Sequence, residues 1–258
     1  MLHPKKINIQ APHKLSVLIH QDGLCFYIYD GNAICVQQIE RSFKNALNPV
    51  ELLDEIARLY SDEPSLQHEF SSFSLVYHHD IFTMVPDALF QEDKAPDYLK
   101  YNTRLLKTDV VSIDEPIAVL DARCVYIAYA NINNYFHDRY GAFEYNHYAS
   151  SLLAALRERS TSASEEVFID IKESYCYLTL FKKGKLLLHN IYPQEAPEDI
   201  LYYTMFATAH NGFDPEVMET TIIQPVKDQA VYDLLFTYVR NVSHATDSDT
   251  LIKNILCA

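Results

Sequence analysis

The chain has 258 residues, 48% hydrophobic and 22% charged, with a formal net charge of -14. That is globular composition, with apolar side chains for a sizeable core and length for one large domain or two lobes of about 120 residues each. A surface this acidic repels phosphate backbones and anionic lipid, so nucleic acid is excluded as an expected partner.

The opening stretch, MLHPKKINIQAPHK, has no apolar run, so no signal peptide is expected. No stretch approaches the roughly 18 apolar residues of a membrane span, so no direct membrane insertion is expected. Five cysteines are present, and none forms a CxxC pair. Cys25, Cys124 and Cys176 sit in apolar runs, as buried free thiols of a reducing compartment would. These features together lead to an expected cytoplasmic location.

Three strand patterns come in quick succession: LSVLIHQ (15–21), LCFYIYD (24–30) and AICVQQIE (33–40). Asp22-Gly23 and Gly31-Asn32 separate them, and such pairs between apolar runs are hairpin signals. A helix follows from Asn48, a good N-cap with Pro49 behind it, and Leu52, Leu53, Ile56 and Leu59 form its apolar stripe. SSFSLVYHH (71–79) and FTMVP (82–86) read as strands, and 86–106 as a helix interrupted near Pro96. DVVSID (109–114) and IAVLDARCVYIAYANI (117–132) read as strands, and 133–141 and 150–160 as helices.

The opening order then returns. EEVFIDIK (165–172), YCYLTLFK (175–182) and KLLLHNIY (185–192) are strand patterns, with turns at Glu173-Ser174 and Lys183-Gly184. A helix opens near Pro197 with Glu198 and Asp199 in its first turn, where the helix dipole favours acids. Cys25 and Cys176 fall at the same place in the two units, which reads as an internal duplication. TTIIQ (220–224) is a further strand, a helix runs from Asp228 through DQAVYDLLFTYVRN, and SDTLIKNIL is a short closing helix. The expected change of lobe lies at residue 120, giving an N-terminal lobe 1–120 and a C-terminal lobe 121–258.

A three-strand meander, a helix and further βα units, present twice, resembles the plan of the actin-like ATPase (ribonuclease H-like) superfamily. Ile169-Asp170-Ile171 and Lys183-Gly184-Lys185-Leu186-Leu187 resemble the second phosphate segment of the actin-like proteins of type IV pilus and type II secretion platforms. The stretches 82–102 and 130–141 are similar to those of a bacterial family of about this length with that fold, for which no activity is established. The resemblance implies an α/β, two-lobed fold with a duplicated three-strand-plus-helix unit.

It also implies two phosphate turns and an adenosine turn. Such turns use glycine, and Ser or Thr, because backbone N–H groups must approach phosphate closely. Here the first turn offers Asp22 and Gly23 with no following hydroxyl. The second keeps Asp170 and Ser174 but places Lys172 where glycine belongs and the acid Glu173 where phosphate would lie. The adenosine turn reads Gln224-Pro225 in place of Gly-Gly. Asp22, Gly23, Asp170, Lys172 and Ser174 are therefore vestigial cofactor-binding candidates. No catalytic residue, metal site or cofactor is expected, ATP with magnesium being disfavoured.

His78-His79-Asp80 are consecutive at a strand end, so their side chains alternate; a solvated loop is expected there, not a metal site. There are 19 tyrosines and no tryptophan, with six tyrosines within 126–148 and the pair Tyr202-Tyr203 beyond. Tyrosine packs well in strands and also binds proteins. The leading expectation is a non-catalytic actin-like protein that binds or scaffolds an unidentified protein partner. The alternative is a nucleotide-binding protein or weak ATPase or phosphotransferase, with Asp22 and Asp170 as metal-side carboxylates. A hydrolase using His78, His79 and Asp80 is a third class.

Overall fold

The computed structural model describes residues 13–20, 22–101, 103–106, 109–117, 120–161, 165–224 and 228–246. Packing divides the chain into two compact units. The first holds the described residues up to Pro116 with Asp121–Ser151; the second holds those of Leu152–Asn254 with Ile117 and Leu120.

In the first unit, β1 (Lys14–His20), β2 (Gly23–Tyr29) and β3 (Cys35–Ser42) form an antiparallel meander. β4 (Ser72–His78) runs parallel beside β1, and β8 (Glu144–His147) parallel beside β4, so the sheet order is β3-β2-β1-β4-β8. β1 and β2 are buried along nearly their whole length, which accounts for their continuous apolar runs. Between β3 and β4 lies α1 (Pro49–Asp62). The Asn48 side chain accepts the N–H groups of Val50 and Glu51, and Glu51 accepts that of Asn48. That reciprocal cap satisfies donors the helix itself cannot. Leu52, Ile56 and Leu59 are fully buried.

A small antiparallel sheet follows, ordered β5 (Phe82–Pro86), β7 (Ala122–Ala128), β6 (Val110–Ile113). A short helix, α2 (Ala95–Leu99), sets Ala95 and Leu99 against Val85, Val125 and Ile127. After β7 come α3 (Ala130–Tyr140) and, beyond β8, α4 (Tyr148–Arg159).

The second unit opens with the meander β9 (Glu165–Ile171), β10 (Tyr175–Lys182) and β11 (Lys185–Pro193), then α5 (Pro197–His210). β12 (Glu219–Ile223), α6 (Gln229–Tyr238) and β13 (Asn241–His244) complete it, and its sheet reads β11-β10-β9-β12-β13. That order repeats the first sheet strand for strand. The β10–β11 turn has φ of +53° at Lys183 and +73° at Gly184. Glycine meets the second position without strain, and this left-handed pair matches the twist of a tight hairpin. Ile200 is buried in α5, whereas Met205 is only partly buried at the core's edge.

Four expectations are corrected. Residues 86–106 form two 3-10 turns (Asp87–Leu89 and Glu92–Lys94) and the short α2; Pro96 stands in its first turn, where no N–H is needed, and opens that helix instead of interrupting one. The long strand over 117–132 shortens to β7, because Asp121 turns at a φ of +49° and α3 begins at Ala130. The helix from Asp228 stops at Tyr238, and Asn241–His244 pairs with β12. The chain leaves the first unit after Ser151 and not at residue 120, because β8 returns to pair with β4. SDTLIKNIL lies outside the described residues. Among the described residues no helix is long and apolar enough to cross a membrane.

Candidate functional site

The two expected phosphate turns lie in separate units. In the first, Gln21 is outside the described residues, Asp22 follows β1, and Gly23 opens β2 opposite Ser42. Asp22 accepts the Phe43 N–H at 2.7 Å through its carbonyl, so β3 closes on this turn. A Cβ on Gly23 would stand 3.0 Å from the carbonyl oxygen of Arg41. Close approach of β3 therefore accounts for that glycine without any phosphate.

In the second unit, Asp170 sits near the end of β9, 1% exposed at its side chain. Two residues on, the Lys172 ammonium donates to Asp170 Oδ1 at 2.9 Å. Residues two apart on extended backbone share a face, which is how the chain delivers a lysine to a buried carboxylate. The Lys172 N–H donates to the Tyr175 carbonyl at 2.9 Å. At the end of β11, Gln194 Nε2 donates to the carbonyls of Lys172 (2.8 Å) and Glu173 (2.9 Å), and the Gln194 N–H to that of Ser174 (2.9 Å). All three carbonyls of the turn are thus held by one residue, which sequence reasoning missed; a side chain reaching a distant turn leaves no local pattern. Burial, with the Asp170 and Asp199 carboxylates adding to it, pushes the neighbouring Cys176 thiol up to about 12, so it is a protonated packing group and not a nucleophile.

In the expected adenosine turn, Gln224 Oε1 accepts the Asp228 N–H at 3.2 Å, and the Asp228 carboxylate caps α6 through the N–H groups of Ala230 and Val231. Pro225 lies outside the described residues.

His78 and His79 overturn the expectation of a solvated loop, being 1% and 2% exposed. His79 Nδ1 accepts the Ile81 N–H at 3.2 Å while Nε2 donates to the Ile127 carbonyl at 2.9 Å. His147 repeats this pattern with the Ala149 N–H and the His79 carbonyl. Burial holds the His79 ring at about 4, well below its ordinary range. Beside them Asp114 Oδ2 accepts the Ser150 hydroxyl and the His147 N–H, and burial pushes its carboxyl up to about 6. Ser, His and Asp are therefore adjacent, but the carboxylate binds the histidine backbone and the serine hydroxyl, with no imidazole between them. That is no nucleophile–base relay. Among the described residues no three His, Cys, Asp or Glu side chains are grouped to hold a metal. Cys25, Cys124 and Cys176 are buried and in no disulfide among the described residues, and Cys257 lies outside those residues.

The sequence model of the family described as "Protein of unknown function (DUF3822)" matches residues 3–242. No curated protein matches the chain in sequence. Among solved structures, the chain is similar to a Bacteroides thetaiotaomicron protein with actin-like ATPase fold and unknown function, at TM-score 0.83 and 17% identity over 97% of this chain and 99% of that one. It is also similar to a chain of the PilM-PilN type IV pilus biogenesis complex, at TM-score 0.56 and 12% identity over 90% and 88%. The fold is the actin-like ATPase fold.

Proposed function

The chain belongs to the DUF3822 family, and on that premise we propose that it is a non-catalytic actin-like protein that binds another protein. The observation that carries this reading is the Lys172–Asp170 ion pair. In a working phosphate turn the carboxylate faces a metal and the backbone faces phosphate. Here a cation of the chain itself already neutralises the carboxylate, a side chain stands where glycine would, and Gln194 ties the turn down. The matching strand orders support descent from a duplicated unit, and the buried cysteines, in no disulfide among the described residues, support a cytoplasmic setting.

Protein binding is supported by the outer face of α5. Tyr202 and Phe206 are 62% and 65% exposed, with rings 6.0 Å apart, and Phe206 stacks at 6.5 Å on His210. Aromatic side chains standing in water at one-turn spacing are typical of contact surfaces. Exposed Glu198 lies one turn before them, in a chain of net charge -14. The fitting occupant is an amphipathic segment of another protein carrying lysine or arginine beside its apolar residues. That a neighbour of this fold was solved in a two-protein complex accords with such a role.

The test has two arms. Millimolar ATP with magnesium leaves the melting temperature unchanged and no phosphate is released; a shift abolished by Asp170→Ala overturns the non-catalytic reading. In-cell cross-linking then identifies a partner retained by Asp170→Ala and lost by Phe206→Asp, with a basic amphipathic segment at the cross-link. Partners that bind both variants alike overturn the assigned surface.

A further inference from the structure

We infer that a cavity in the first unit binds a zwitterion of dipeptide size with an aromatic side chain. The cavity has a volume of about 460 Å³ and lies between the starts of β1 and β4 and the segment that follows α3. That volume falls in the range of small-molecule sites, and polar or charged side chains make up nearly half of the lining.

Strand register sets its chemistry. Ser16, Ser74 and Glu144 are successive partners across β1, β4 and β8, so their side chains share one face of the sheet. Lys14, two residues before Ser16, shares that face. Ser16 is 2% exposed, and its hydroxyl lies 3.1 Å from that of Ser74. Two hydroxyls carry two protons, and their mutual bond uses one. Among the described residues neither hydroxyl has another partner, so one buried donor is left for the cavity that both line.

Lys14 and Glu144 stand exposed at the rim, and neither has an ion-pair partner among the described residues. Strand spacing and rise place their Cα atoms about 12 Å apart. Flexible stems from either side reach toward the two ends of a short peptide, carboxylate to Lys14 and ammonium to Glu144. A phosphate-bearing ligand is disfavoured because Glu144 would repel it. Tyr29, paired with Lys14 across β1 and β2, shares that face and forms the ring wall, set before any ligand arrives by stacking on Tyr27 at 6.3 Å.

The test is calorimetric titration with phenylalanyl-alanine, its N-acetyl form and its C-terminal amide. The free dipeptide binds, and each capped form binds at least tenfold more weakly. Glu144→Ala makes the protein indifferent to N-acetylation, and Lys14→Ala makes it indifferent to amidation. Ser16→Ala weakens the free dipeptide while the melting temperature holds. No binding of the free dipeptide at millimolar concentration, or equal binding of all three forms, overturns the proposal and leaves a cavity filled by water.

Discussion

Lys172 Nζ and Asp170 Oδ1 lie 2.9 Å apart on one hairpin, with the carboxylate almost wholly buried. Breaking a buried pair from one side leaves a charge with no compensation, at a cost of about 3 kcal/mol. Lys172→Met is therefore expected to lower the melting temperature by several degrees. Asp170→Asn combined with Lys172→Met recovers most of that loss. A double-mutant cycle by thermal denaturation measures the coupling, and additive losses would remove the pair from the account.

Replacing Ile56 by Asp buries an unpaired carboxyl under the first sheet, since Ile56 is fully buried on the inner face of α1. The expected loss is on the order of 4 kcal/mol in denaturant unfolding. The cap at the same helix is a smaller term, and Asn48→Ala is expected to cost about 1 kcal/mol.

Asp114 and His79 give opposite pH dependences in one window. The Asp114 pKa is raised to about 6 in the folded state, so its contribution is fully present below the unfolded pKa of about 3.9 and is lost as pH rises toward 6. The His79 pKa is lowered to about 4, so stability grows as pH rises from there through the unfolded value of about 6.5. Each amounts to about 3 kcal/mol, and the two largely cancel. The wild type is expected to be flat between pH 4 and 6 in these two contributions. Asp114→Asn uncovers a stability that climbs with pH, and an unchanged profile in that variant would refute the assignment.

Gly23→Ala places a methyl against the Arg41 carbonyl, at the 3.0 Å separation that real Cβ contacts avoid. The expected loss is about 1–2 kcal/mol, read as a fall in melting temperature. The response to ATP should not change.

Phe206→Asp, at an exposed position of α5, is expected to leave stability within about 0.5 kcal/mol. Circular dichroism melts check this before any loss of partner binding is interpreted.

Much of the fold is legible in the residues. Asn48-Pro49 marks the start of α1, and Lys183-Gly184 and Asp22-Gly23 mark the hairpins, because local chemistry decides them. What is not legible depends on distant partners. EYNH becomes β8 through pairing with β4, and NVSH becomes β13 through pairing with β12. Neither has a strand pattern, and NVSH follows the α6 periodicity with no glycine or proline between them. His78-His79-Asp80 reads as polar loop because nothing in sequence announces the carbonyls of Ile127 and His79 that the buried rings of His79 and His147 meet. At the candidate site the sequence gives residue types, and Lys172 is conspicuous; the reach of Gln194 across the turn is not.

The order β3-β2-β1-β4-β8 also sets a schedule for synthesis. The meander and β4 have all been made by His78, yet the strand that covers the free edge of β4 begins at Glu144, with the small three-stranded sheet made in between. At ordinary elongation rates that gap lasts on the order of ten seconds. Through that interval the nascent chain carries an apolar strand, Ser72–His78, with one row of backbone donors and acceptors unmatched. Translational pausing before β8 would lengthen the exposure and favour pairing between nascent chains, whereas a ribosome-associated chaperone would act best on lengths between those two strands.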